Sequence, residues 1–149
     1  MNREQIMVAA FVVLASILYA NFIELAVHKF LFHEMGKKKN SIFAFHLRDH
    51  HVIARKNDFI DKRNTVREAG GIAFLALLHL PILYISILAY FTIVAYGIAF
   101  VMIHHFQHSS PSFTKKYMWW HWNHHMINPN KNWGVVSPVA DYLARTLER

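Results

Sequence analysis

The chain has 149 residues, a formal net charge of +7, 54% hydrophobic residues, twelve histidines and no cysteine. Lack of cysteine excludes disulfides, thiolate-held zinc or haem and cysteine-bound iron–sulfur clusters, so any metal must rest on nitrogen or oxygen donors. The positive charge does not mark a nucleic-acid binder: nine of the sixteen Lys and Arg residues lie in 37–67 and five from Lys115 onward, beside apolar blocks, as the positive-inside rule places them in cytoplasmic loops.

The length suits a single domain over residues 1–149, and the blockwise apolar residues read as an all-α integral membrane protein. Residues 6–27 are interrupted only by Ser16, Asn21 and Glu24, long enough to cross a hydrocarbon core of about 30 Å. No small-residue cleavage site follows, so the stretch reads as a span rather than a signal peptide. The short, nearly uncharged amino terminus, with Arg3 offset by Glu4, sets that span running from the outer side inward.

Its inner end carries His28 and His33. On an unbroken α-helix they lie about 140° apart, so they either serve different metals or need the helix to unwind locally. Glu24, one turn earlier, is placed to orient the His28 imidazole. A break follows at Gly36, and Ser41 is expected to cap an amphipathic helix over 41–54. There His46 and His50 share a face, His51 is displaced by about 100°, and Asp49 lies between them. Residues 55–68 read as a polar surface connection.

Residues 70–103 form an apolar stretch of 34 residues, about 51 Å as one helix and far more than one crossing requires. Two short spans turning near 84–90, the first kinked at Pro81, return the chain to the side of the earlier histidines. That makes about three transmembrane helices, joined by interfacial helices into a cytoplasmic histidine-rich cap. The third span exits through His104 and His108, which share a face at i, i+4. His105 points elsewhere and His79 lies deep in the second span, so both are expected to be structural.

Lys115, Lys116 and the aromatic run 117–122 suit a bilayer interface, with Trp119, Trp120, Trp122 and Trp133 seating the site at headgroup level or simply anchoring the protein. On a helix, His121, His124 and His125 fall within an arc of about 100° and can face one point. A short amphipathic helix closes the tail. One membrane-interface histidine alone most simply hydrogen-bonds and titrates. Four groups together point to metal. The ten candidates, His28, His33, His46, His50, His51, His104, His108, His121, His124 and His125, exceed the roughly six donors that one first-row ion takes, so two ions are expected. Neutral imidazole suits iron, zinc, copper and nickel alike.

The spacings H-x4-H, H-x3-HH, H-x3-H and H-x2-HH, followed by Asn132-Trp133-Gly134-Val135-Val136-Ser137-Pro138 and then Asp141, resemble the fatty acid hydroxylase superfamily, with its sterol desaturases and carotenoid hydroxylases. The resemblance covers residues 28–148. It implies a membrane-embedded di-iron oxygenase with the ten histidines as ligands, O2 as co-substrate, a membrane lipid as substrate, and electrons from a separate carrier such as a ferredoxin or a cytochrome b5-like protein with its reductase. No dinucleotide motif is present to supply electrons from within the chain. Members commonly carry H-x2-HH in the second box, where this chain has one residue more. Ten neutral ligands leave the metal charge to oxide, hydroxide or the carboxylates Glu24, Asp49 and Asp141, with Asp141 expected to support a ligand rather than bind metal. Other readings are a carotenoid ring hydroxylase, a lipid desaturase, or a non-enzymatic membrane protein with a structural or sensing zinc site.

Overall fold

The computed structural model describes residues 2–61 and 65–149; residues 62–64, within the expected surface connection, lie outside them. Helices and turns make up the described residues, with no strand among them. The chain opens on helix α1, Arg3–Ala26, whose first turn is closed by a reciprocal cap: Asn2 Oδ1 accepts from Gln5 N and Gln5 Oε1 accepts from Asn2 N, each at 2.9 Å. It passes without a break into a π-helical segment, Val27–Met35. A second π segment, His46–His51, leads into α2, Val52–Lys56. Then follow α3 (Thr65–Leu78), a 3-10 turn (Leu80–Tyr84), α4 (Ile87–Ser109), α5 (Pro111–Tyr117), α6 (Trp119–Met126) and α7 (Val139–Leu143).

Among the described residues two helices are long and apolar enough to cross a membrane, Arg3–Met35 and Ile87–Ser109. The intervening α3, at 14 residues, rises about 21 Å and falls short of a bilayer core by itself. Many large apolar side chains on the two long helices are exposed, among them Phe11, Leu14, Phe91 and Met102. Lipid contact is the environment that makes such a surface stable. The polar interruptions of the first apolar run turn inward instead: Ser16, Asn21 and Glu24 are all buried.

The expected reversal exists, a few residues earlier than the pattern indicated. Pro81 sits in the 3-10 turn that ends α3 rather than kinking a span, because its ring cannot continue the helix. Ser86 then caps α4 by accepting from Ala89 N at 3.2 Å. At one end of the pair Tyr90 Oη donates to Ala76 O, 3.4 Å, and at the other His104 meets Glu68, so α3 and α4 run antiparallel. Gly97 permits their approach, since a Cβ there would lie 2.7 Å from Ile72 Cγ2. His79 is buried and satisfied by Leu75 O at 2.7 Å and Tyr19 Oη at 3.0 Å.

Two other expectations change. Ser41 does not cap a helix over 41–54; its Oγ accepts from Phe43 N at 3.1 Å in a local turn, and helix begins at Ala44. The connection after Arg55 is not all surface, for Phe59 and Asp61 are buried.

Candidate metal centre

Both π segments fall on histidine boxes. A π-helix closes its hydrogen bonds from i to i+5, so residues five apart come into line, which α-helical winding would prevent. His28 and His33 are such a pair, and so are His46 and His51. The extra residue of the second box is absorbed by this wider turn.

The result is two adjoining buried groups. In the first, His28, His33, His46, His51 and His124 each offer a ring nitrogen, and these atoms lie within 4.8 Å of one another. The second contains His50, His104, His108 and His125 within the same limit. His121 belongs to neither at that distance, though its Nε2 is 3.3 Å from His108 Nε2 and its ring centroid 4.7 Å from that of His125. The groups touch where the rings of His51 and His125 stack at 4.1 Å. The ten histidines thus converge, but their partition differs from the helical-wheel reading. His46 pairs with His51 rather than His50, and the neighbours His124 and His125 are divided between the groups. His105 is exposed, away from both.

Five of the ten rings are aimed by an acceptor behind them. His28 Nδ1 donates to Trp133 O at 2.6 Å, His108 Nδ1 to Phe59 O at 2.6 Å and His124 Nδ1 to Lys131 O at 2.7 Å. Two carboxylates do the same: Asp61 for His50 at 2.9 Å and Glu68 for His104 at 2.7 Å. When Nδ1 of a neutral imidazole donates, Nε2 holds a lone pair and no proton. Burial pushes His46, His50, His51, His121, His124 and His125 below the usual imidazole range, reinforced by neighbouring histidines, so these rings are neutral at pH 7.

The inward lone pairs need a cation. In the first group Nε2 atoms stand 3.0 Å (His28 to His46) and 3.2 Å (His51 to His46, and His124 to both His33 and His51) apart. Two nitrogens about 2.1 Å from a shared ion are about 3.0 Å apart at a right angle and about 3.4 Å apart at the tetrahedral angle. In the second group His50 Nε2, His104 Nε2 and both nitrogens of His125 are buried without a hydrogen-bond partner among the described residues. A buried nitrogen of that kind is costly unless something binds it. The residues therefore fit metal ions, and the backing carbonyls and carboxylates are the arrangement usual behind metal-bound imidazole.

Of the expected carboxylates Glu24, Asp49 and Asp141, none hydrogen-bonds a histidine among the described residues. Asp49 is exposed and pairs with Arg67, Nη1 to Oδ2 3.6 Å. Glu24 accepts from Val135 N and, at 3.1 Å, from Val136 N, while its other oxygen takes Tyr96 Oη at 2.5 Å and Asn21 Nδ2 at 3.3 Å. Asp141 is fully buried and accepts from Trp133 N (2.9 Å), Gly134 N (2.6 Å) and Thr146 Oγ1 (2.6 Å). It fixes the loop whose Trp133 carbonyl orients His28. Gly134 is needed there, because a Cβ would lie 2.3 Å from Ser137 O. Trp133 is buried against His28, His33 and His124, so it is no interfacial anchor.

Asp61, Glu68 and the three carbonyls were not picked out from sequence. The acids stand in a polar stretch among other charges, and a carbonyl has no residue type. Beside the histidines opens a cavity of about 1040 Å³, lined by His28, His46, His50 and His104 at one end and otherwise mainly by apolar side chains of α1, α3 and α4. It extends along α4 from His104 to Ile93, about 16 Å.

Two long apolar helices, two buried all-imidazole groups able to hold metal ions and an apolar cavity leading to them suit the class of membrane proteins with a histidine-rich metal site. A fatty acid hydroxylase family model matches residues 13–146; the chain belongs to that family, whose members are oxidoreductases. Comparison with curated proteins and with solved structures gives no match.

Proposed function

We propose that the protein is a multi-pass membrane oxygenase whose histidine groups hold two iron ions and which hydroxylates a C–H bond of a lipid, using O2 and electrons from a separate carrier. The observation that carries this reading is the juxtaposition of two adjoining imidazole groups with a long apolar cavity ending on them. A structural zinc site calls for a closed coordination shell and no such cavity.

His28, His33, His46, His51 and His124 would hold one ion, and His50, His104, His108 and His125, with His121 beside them, the other. Two irons at these positions would supply the redox chemistry of O2 activation, which zinc lacks. The chain's own contribution is positioning. Trp133, Phe59 and Lys131 carbonyls, with Asp61 and Glu68, hold Nδ1 protons and keep Nε2 lone pairs aimed inward. Phe74, Leu75, Ile93 and Phe100 would seat the lipid chain and exclude water from the oxidised carbon.

The basic residues of 37–67 support a cytoplasmic side for this end through the positive-inside rule. A third crossing would combine α3 with the turn after it, across a locally thinned bilayer. The decisive test is metal analysis of protein purified from membranes, together with O2 uptake on acyl and isoprenoid lipids with a reductant and a ferredoxin or cytochrome b5. Iron in both groups with lipid-dependent uptake is expected; zinc at full occupancy with no uptake under iron-replete expression overturns the proposal.

A further inference from the structure

Of the charged residues that line the apolar cavity, Glu24 is taken up by Asn21, Tyr96 and the amides of Val135 and Val136. Arg48, Asp49 and Arg67 also line the cavity, alongside His46, His50 and His104. Arg48 stands between His46 and His50 in sequence, and Arg67 immediately precedes Glu68, the acceptor behind His104. The arginines and the metal-binding histidines therefore share one end of the cavity, while the rest follows α4 away from them.

Neither guanidinium is firmly engaged. Arg67 lies over the ring of Phe45 at 5.0 Å and reaches Asp49 only at 3.6 Å, both side chains being more than half exposed. A pair of that kind contributes little and exchanges readily. Arg48 donates to Lys38 O at 3.4 Å and has no carboxylate partner among the described residues. Glu68, the other carboxylate at this end, is occupied by His104. At the polar end of an apolar chamber, Arg67 thus holds only a weakly kept carboxylate and Arg48 only a backbone carbonyl.

We infer that Arg48 and Arg67 form an anchor for a singly charged oxyanion head, the carboxylate of a long-chain amphiphile, with Asp49 holding that position until the lipid carboxylate displaces it. Guanidinium forks match carboxylate geometry in two hydrogen bonds. The tail then lies along the apolar wall, and the carbons nearest the head are those beside the histidines. This rests on the reading of the cavity as the substrate's, and it makes Arg67 a residue that determines specificity.

The test is displacement of a radiolabelled long-chain carboxylic acid from the purified full chain in zwitterionic nanodiscs, with and without iron. The acid is expected to bind about tenfold more tightly than the alcohol of equal length, the equivalent of about 1.4 kcal/mol. Arg67→Gln and Arg48→Gln should each abolish that preference, with metal content unchanged. Asp49→Asn should tighten acid binding severalfold, a gain that a merely structural Asp49 would not produce. Equal affinity for acid and alcohol, weaker or unaltered acid binding in Asp49→Asn, or stronger binding of a phosphodiester-headed lipid than of the carboxylate would each overturn the anchor. Tight, arginine-dependent binding without O2 uptake would leave the anchor standing and remove the oxygenase proposal; uptake with indifference to the head does the reverse.

Discussion

His28 donates its Nδ1 proton to the carbonyl of Trp133, 105 positions further along the chain, at 2.6 Å. The first histidine box is therefore aimed by the loop that follows the last one. That loop is held in turn by Asp141, through the amides of Trp133 and Gly134, and by Glu24, through those of Val135 and Val136. The centre is thus tied from α1 to the carboxyl-terminal segment.

Replacing Asp141 with Asn sets an amide N–H₂ against backbone N–H donors in a fully buried position. Leaving one such donor unmet costs about 1–3 kcal/mol. Asp141→Asn should lower thermal stability by that order and release metal, read by denaturation and by metal analysis of the same preparation. Wild-type behaviour in both would show that the loop does not depend on this carboxylate.

Asp61 and Glu68 back two ligands of the second group only. Asp61→Asn and Glu68→Gln should each weaken retention of one ion by about 10–100-fold while the other stays bound. Chelator titration with metal counted at each step resolves the two classes. Uniform loss of both ions would contradict the partition.

His46→Ala removes one of five donors and His50→Ala one of four. The second should therefore lose its ion more completely, despite the two residues standing in the same box. Metal-to-protein ratio together with X-ray absorption coordination number would check it, and equal losses would argue against separate groups.

Gly97 lines the cavity and meets Ile72 closely. Gly97→Val should raise KM for long-chain lipids severalfold and leave metal content intact. Adding Ile72→Ala, which removes the clashing branch, should restore much of the affinity. A pair of variants that change metal content instead would place Gly97 in the folding of the centre rather than in the shape of the chamber.

Metal binding to the native chain alone stabilises it by mass action, by about 4 kcal/mol when free ion exceeds Kd a thousandfold. Stripping with a strong chelator should lower the melting temperature, and iron should restore it. An unchanged melting temperature after complete removal would mean that these histidines are held by packing alone.

The sequence by itself determined the residue types and their rough grouping: long apolar blocks, ten histidines in four boxes, and the turn-rich Asn132 to Pro138 stretch with Asp141. These are local properties, and periodicity reads local properties well. It also required a reversal within 70–103, since only a chain that turns back can bring His104 to His46. Tertiary structure decided the rest. A helical wheel at about 100° per residue puts His46 with His50, whereas the π winding, stabilised by contacts with distant segments, puts His46 with His51 and sends His50 to the other group. The acceptors behind the rings are backbone carbonyls of Phe59, Lys131 and Trp133 and two acids unremarkable in sequence. Only folding reveals them, because a carbonyl becomes specific through position, and position here is set by packing between segments far apart in the chain.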